Sequence, residues 1–118
     1  MGEYLHPEET KRFYTSKFLR VGKTIVTTGI NDTLTKHRSL AEQNQIAQEI
    51  EALRVTDPSQ VDGGQYSREG QSIRLHSDST DFKLPVKGFG ARNITAQLFR
   101  SRSPEFTVTI DEYFQWTK

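Results

Sequence analysis

One stretch, Ser39 to Leu53 (SLAEQNQIAQEIEAL), restricts the fold more than any other. Ser39 followed by Glu42 has the spacing of a capping box, in which each side chain satisfies a backbone N–H left unpaired by the first helical turn. At helical periodicity Leu40, Ile46, Ala47, Ile50 and Leu53 fall on one arc of roughly 140°. Glu42, Asn44, Gln45, Gln48, Glu49 and Glu51 occupy the other side. Asp57-Pro58 follows, and a residue before proline is disfavoured in helical geometry, so the spacing predicts one main amphipathic helix over about 39–54. Its polar face reads as solvated. Glu42 and Glu49 lie two turns apart with no histidine at ligand spacing, which argues against a metal or acid–base site there.

The remainder reads as strands and turns. Pro7-Glu8-Glu9 carries a helix-start signature for a short helix running to about Tyr14. Lys17 to Thr28 (KFLRVGKTIVTT) reads as two β segments around Gly22-Lys23. TDPSQVDGG reads as a loop. Gln65–Arg68 and Gln71–His76 flank Glu69-Gly70 as a hairpin, and Phe82/Leu84/Val86, Ile94/Ala96/Leu98 and Phe106/Val108/Ile110 alternate as strands do. Pro85 marks the first of these three as an edge strand. The expected architecture is α+β: a single domain over residues 1–118, with an antiparallel sheet of four to six strands and the main helix packed on one face. An antiparallel sheet can leave its other face wet, and binding is expected there.

Composition narrows function mainly by exclusion. Among 118 residues there is no cysteine, so disulfides, thiolate metal sites and cysteine nucleophiles are ruled out. No apolar run reaches the ~20 residues a membrane span needs, and the polar N-terminus MGEYLHPEET lacks secretory character. A cytoplasmic protein is the expectation, and the Asn-x-Thr tripeptides at Asn31 and Asn93 then carry no glycosylation meaning. The mean hydropathy of −0.70 is lean, which favours a surface completed by a partner or a second copy.

Charge is unevenly laid out. Residues 1–38 carry seven basic and four acidic side chains, 39–62 one and five, 63–104 seven and three, and 105–118 one and three. This pattern predicts an acidic helix side and a basic sheet side that meets the partner, an asymmetry that also permits head-to-tail self-association.

Four stretches carry candidate chemistry. In KRFYTSKFLRVGK, the cations Lys11, Arg12, Lys17, Arg20 and Lys23 interleave with Phe13, Tyr14 and Phe18, the combination that single-stranded nucleic acid binding uses. Lys87-Gly88-Phe89-Gly90-Ala91-Arg92 matches neither the dinucleotide fingerprint nor the P-loop; it reads as a turn whose flanking glycines present Phe89 outward, with Arg100 and Arg102 extending the basic surface. His76-Ser77-Asp78-Ser79-Thr80-Asp81 gathers a histidine and two carboxylates, but in ordinary turn chemistry without a calcium-loop pattern. Finally, Tyr113, Phe114 and Trp116 crowd the C-terminus, where such rings either complete the sheet or anchor a neighbour. No catalytic constellation, metal site or cofactor motif emerges. The sequence therefore points to a non-enzymatic interaction module, a subunit or adaptor of a larger assembly, with Phe89, Arg92, Arg100, Arg102, Tyr113, Phe114 and Trp116 at the contact. A nucleic-acid-binding domain using Lys11, Arg12, Lys17, Arg20, Lys23 and Lys87 is the alternative.

Overall fold

A computed structural model describes residues 13–111. Its centre is a five-stranded sheet, built from β1 (Phe13–Val21), β2 (Thr24–Thr27), β3 (Val61–Glu69), β4 (Ser72–His76) and β5 (Thr107–Ile110). The spatial order is β2-β1-β3-β4-β5. Three pairings are antiparallel and β4–β5 is parallel, so the sheet is mixed rather than antiparallel throughout. The parallel pair has a direct cause. Parallel neighbours need a crossover connection, and α3 (Ala91–Arg102) supplies one between β4 and β5.

Alternation along β1 assigns the two faces. Tyr14 and Phe18 join Tyr66, Ile73, Leu75, Ala96, Phe99, Phe106 and Val108 in one apolar cluster under α3. Phe18 meets Phe99 edge-on at 6.2 Å. Leu19 and Val21 point the other way, into a second cluster with Leu40, Ala41, Ile50, Val61, Phe82 and Leu84. That cluster is covered by α1 (His37–Gln43), α2 (Ala47–Thr56) and the loop that follows β4. Helices therefore flank the sheet on both sides, and the described residues hold three of them where a single main helix on one face was expected.

The expected helix over 39–54 is two helices. Gln45 adopts a left-handed conformation (φ 60°). Its N–H donates to Glu42 O and the Ile46 N–H to Ala41 O, the paired bonds of a Schellman stop. Ser39 does not cap either helix; α1 begins two residues earlier at His37, with Lys36 as its N-cap and no side-chain capping bond. The strand expected from Ile94/Ala96/Leu98 is α3, whose buried residues Ala91, Arg92, Thr95, Ala96 and Phe99 repeat at helical spacing. The strand expected at Phe82/Leu84/Val86 is a loop with one bridge, Ser79 to Leu84. Pro85 has no N–H with which to continue that pairing. The loop read through TDPSQVDGG ends early: Pro58–Gln60 is one 3-10 turn, and Val61–Gly64 already belong to β3.

The charge layout changes with the fold. Lys87–Arg102 is loop and helix, not sheet, so the basic segment lies in the α3 layer and the acidic one in the α1–α2 layer opposite. The readings placed on Pro7–Tyr14 and on Tyr113, Phe114 and Trp116 fall wholly or mostly outside the described residues, as do Lys11 and Arg12. Tyr14 itself lies within β1.

Candidate functional site

The most tightly bound side chains hold the N-terminal end of α3 to the sheet. Asp62 is 0% exposed and forms the hub. Its Oδ2 accepts Arg92 Nε–H at 2.9 Å and Thr95 Oγ1–H at 2.7 Å; its Oδ1 accepts a second Arg92 N–H at 3.1 Å and the Gly63 N–H at 2.7 Å. The Arg92 terminal nitrogen also donates to Gly63 O and Ser77 O. Arg20, equally buried, donates to Thr95 Oγ1 at 2.6 Å and to the carbonyls of Gly22, Ser59 and Ala91. Burial pushes the Arg20 guanidinium below its ordinary value, and Asp62 opposes that push. Two arginines read from the sequence as surface cations are thus internal struts. Neither can meet a partner.

This anchoring gives the loop before α3 a fixed base. Gly88 (φ 86°) and Gly90 (φ 71°) both take left-handed conformations, and open space surrounds the Cβ position of each. They are glycines for backbone geometry, not for room. Between them Phe89 is held 50% exposed. From this loop the outer face of α3 continues through exposed Asn93, Gln97 and Arg100 at intervals of four and three residues. No acidic side chain lies on α3. Arg100 donates to Val108 O and Arg102 to Lys23 O, so both cations are steadied at the far end of the helix while staying exposed.

A second polar arrangement lies on the opposite face of the sheet. Side chains of Thr15, Lys17, Gln65, Ser67, Arg74 and His76 share that face by register: Lys17 pairs with Gln65 and Gln65 with His76, while Thr15 pairs with Ser67 and Ser67 with Arg74. A hydroxyl–imidazole relay crosses it. Thr15 Oγ1 and Ser67 Oγ are 2.8 Å apart, Ser67 Oγ and His76 Nε2 2.7 Å, and His76 Nδ1 and Ser77 Oγ 2.9 Å. Burial, then the neighbouring Arg74, lowers the His76 pKa; Asp111 opposes and Arg92 adds to the lowering. The Ser67–His76 distance is that of a nucleophile and its base. The imidazole's other nitrogen, however, meets a serine rather than a carboxylate, and Ser67 is only 5% exposed. The set is a continuous chain of hydrogen bonds whose buried Ser67 hydroxyl offers a substrate no approach.

The run His76–Asp81 does not converge. Asp81 Oδ2 accepts the Arg38 N–H at 3.0 Å, Asp78 is exposed, and His76 is turned into the relay. Among the described residues no group of three or more histidine and carboxylate side chains is placed to hold a metal ion. Nor, among them, is any helix long and apolar enough to cross a membrane. Of the other cations singled out, Lys23 and Lys87 are exposed and Lys17 is half-buried on the polar face.

His37 is buried with its Nε2 3.0 Å from Gly64 O. Burial lowers its pKa, with the Gly64 carbonyl opposing and Lys17 assisting. The unfolded chain thus takes up a proton near pH 6.5 that the folded chain resists. Stability from neutral His37 and His76 is complete above that pH and is lost progressively as pH falls below it. Urea midpoints measured from pH 7.5 to 5.5 should fall with pH, and His37→Gln should flatten the slope. A flat wild-type profile would contradict the buried neutral imidazoles.

Comparison with protein-family models, curated proteins and solved structures gave no match to this chain. The class is therefore the one the fold defines: an α+β protein whose described residues form a five-stranded mixed sheet with one parallel pair, and three helices.

Proposed function

We propose that this chain is a non-enzymatic protein-interaction module, a subunit or adaptor, that engages its partner through the outer face of α3 with Phe89 as the anchor. The observation that carries the reading is the half-exposed Phe89 ring between two left-handed glycines, on a loop whose base is tied to the sheet by Arg92 and Asp62. A ring presented on a fixed backbone loses little conformational freedom on binding, and aromatic anchors are favoured at contact centres. Phe13, Leu34 and Val55 are more exposed, at 60%, 90% and 75%, but none of them is framed in this way. The stripe Asn93, Gln97, Arg100 extends the contact with polar groups and one cation, and the absence of acidic side chains on α3 favours an acidic partner. The acidic α1–α2 layer of a second copy is one such surface, and that pairing would be head-to-tail.

A photo-crosslinking residue at position 89 identifies the partner, and sedimentation velocity of the full chain tests whether it is a second copy. Phe89→Ala should then weaken binding to that partner by about 30-fold, the effect of losing an anchor of about 2 kcal/mol. Its Tm should stay within about 4 °C of wild type, as for other surface replacements. Unchanged affinity would place the contact elsewhere, and a large Tm loss would make Phe89 a core residue. The nucleic-acid alternative keeps fewer residues: Arg20 is internal, and Lys17 faces away from the α3 layer. Salt-dependent binding to a single-stranded oligonucleotide would revive it.

A further inference from the structure

The polar half of the sheet face opposite α3 has features that an interaction surface on α3 leaves unused. Lys17 is half-buried there, and its ammonium makes no hydrogen bond or salt bridge among the described residues, although it lies in the field of Asp32 and beside the buried His37. Gln65 stands directly across from it, between Lys17 and His76, and its side-chain amide is likewise unengaged among them. Thr15 is next on the same face, two residues before Lys17 on β1. Nearby carboxylates are already committed. Asp32 accepts from the Leu34 and Thr35 N–H groups and from the Thr35 hydroxyl, and Asp111 is 3.0 Å from Arg74. Glu69 lies further out, at the hairpin end opposite Phe13.

We propose that Lys17, Gln65 and the Thr15 hydroxyl form a binding site for the phosphate group of a small phosphate monoester, and that the relay through Ser67 to His76 orients the Thr15 proton toward it. Each end of the site contributes a donor: an ammonium, an amide N–H and a hydroxyl. Adjacent strands about 4.8 Å apart place Lys17 and Gln65 side by side, with Thr15 next along β1, so the three donors are near enough to surround one tetrahedral anion. The hydroxyl is the conditional donor. When His76 Nε2 lacks a proton, Ser67 donates to it and Thr15 donates to Ser67, so the mouth of the relay presents a lone pair. When Nε2 carries the proton, every bond reverses, and Thr15 turns its hydrogen outward. A bound anion therefore selects His76 with Nε2 protonated.

The charged groups around this imidazole are Arg74, Arg92 and Asp111, with Lys17 across Gln65 in the same row. Burial first, and then two cations among these three groups, hold the imidazole pKa below its ordinary value, and the same cations make the local potential favourable to an anion. Because this face is opposite α3, the site and the Phe89 surface can be tested separately.

The test is a nuclear magnetic resonance titration of the His76 ring in the full chain, with inorganic phosphate, methyl phosphate and chloride compared at constant ionic strength. The expected result is saturable movement of His76 toward the Nε2-protonated form and an upward shift of its midpoint with both phosphates and not with chloride. Lys17→Met should abolish the response. Ser67→Ala should uncouple His76 from phosphate while chemical shifts at Lys17 still move. No phosphate-specific change in the wild type, or a response surviving in Lys17→Met, overturns the proposal. Because the wild-type titration stands alone, a variant that fails to fold does not protect it. A response to inorganic phosphate without one to methyl phosphate restricts the site to the free anion and overturns the monoester assignment.

Discussion

Asp62→Ala is expected to lower Tm by more than about 10 °C or to abolish cooperative folding. Removing one partner of a buried ion pair typically costs about 3–5 kcal/mol, because the other charge stays buried without compensation. In a domain of this size each kcal/mol moves Tm by several degrees. Here the loss is compounded. Arg92, Thr95 and the Gly63 N–H all donate to the Asp62 carboxylate, and Arg20 lies in its field with no exposure of its own. Without Asp62 two guanidinium groups remain in the interior, and Arg92 makes Arg20 harder to keep charged. Asp62→Asn keeps the shape and some acceptor capacity but loses the charge. It should fall between the wild type and the alanine variant. Thermal melts followed by circular dichroism decide the matter; a Tm for Asp62→Ala within about 3 °C of wild type would mean the network is not what holds α3 to the sheet.

The sequence makes some parts of this fold plain and hides others for identifiable reasons. Both hairpins carry their glycines at the turn, at Gly22 and Gly70, and β5 shows clean alternation through Phe106, Val108 and Ile110. The second turn is Gly70-Gln71 rather than Glu69-Gly70, which moves each β4 partner by two residues and brings His76 opposite Gln65. Helix α3 escapes a periodicity search because two of its five buried residues, Arg92 and Thr95, are polar. The half-buried Ile94 and Leu98, which do look apolar, alternate like a strand. The break between α1 and α2 is hidden because its left-handed position is Gln45, where glycine would have announced a stop.

The candidate sites divide in the same way. Phe89 and its two glycines are visible because a local backbone requirement fixes all three. Thr15, Gln65 and Ser67 were not, since they are ordinary strand residues until the pairing of β1 with β3 and β3 with β4 sets them beside His76 and Lys17. Register across strands distant in sequence has no local signature. Asp62 illustrates a further difficulty: set in a turn-like DGG segment, it reads as loop chemistry, yet it is the buried hub of β3.

The second glycine of that segment gives the second large expected effect. Gly64→Ala should lower Tm by about 5–20 °C, the range that follows from an overpacking cost of about 1–3 kcal/mol. A Cβ at Gly64 would lie 2.7 Å from an Arg92 terminal nitrogen and 2.9 Å from both His76 O and Ser77 O. None of the three can yield cheaply. The Arg92 nitrogen is bonded to Asp62, Gly63 O and Ser77 O, and the two carbonyls belong to the end of β4 and the residue after it, beside the Gln65–His76 pair. The missing side chain is therefore what lets α3, β3 and β4 approach one another at this point. Gly90→Ala is the informative contrast. Open space surrounds that position, and only its positive φ opposes a side chain, so its cost should be about 1 kcal/mol. Heteronuclear spectra should show Gly64→Ala displacing the His76 and Arg92 signals while Gly90→Ala perturbs only the loop around Phe89. Equal melting temperatures for the two variants would show that close packing at Gly64 is not what sets the position of α3 on the sheet.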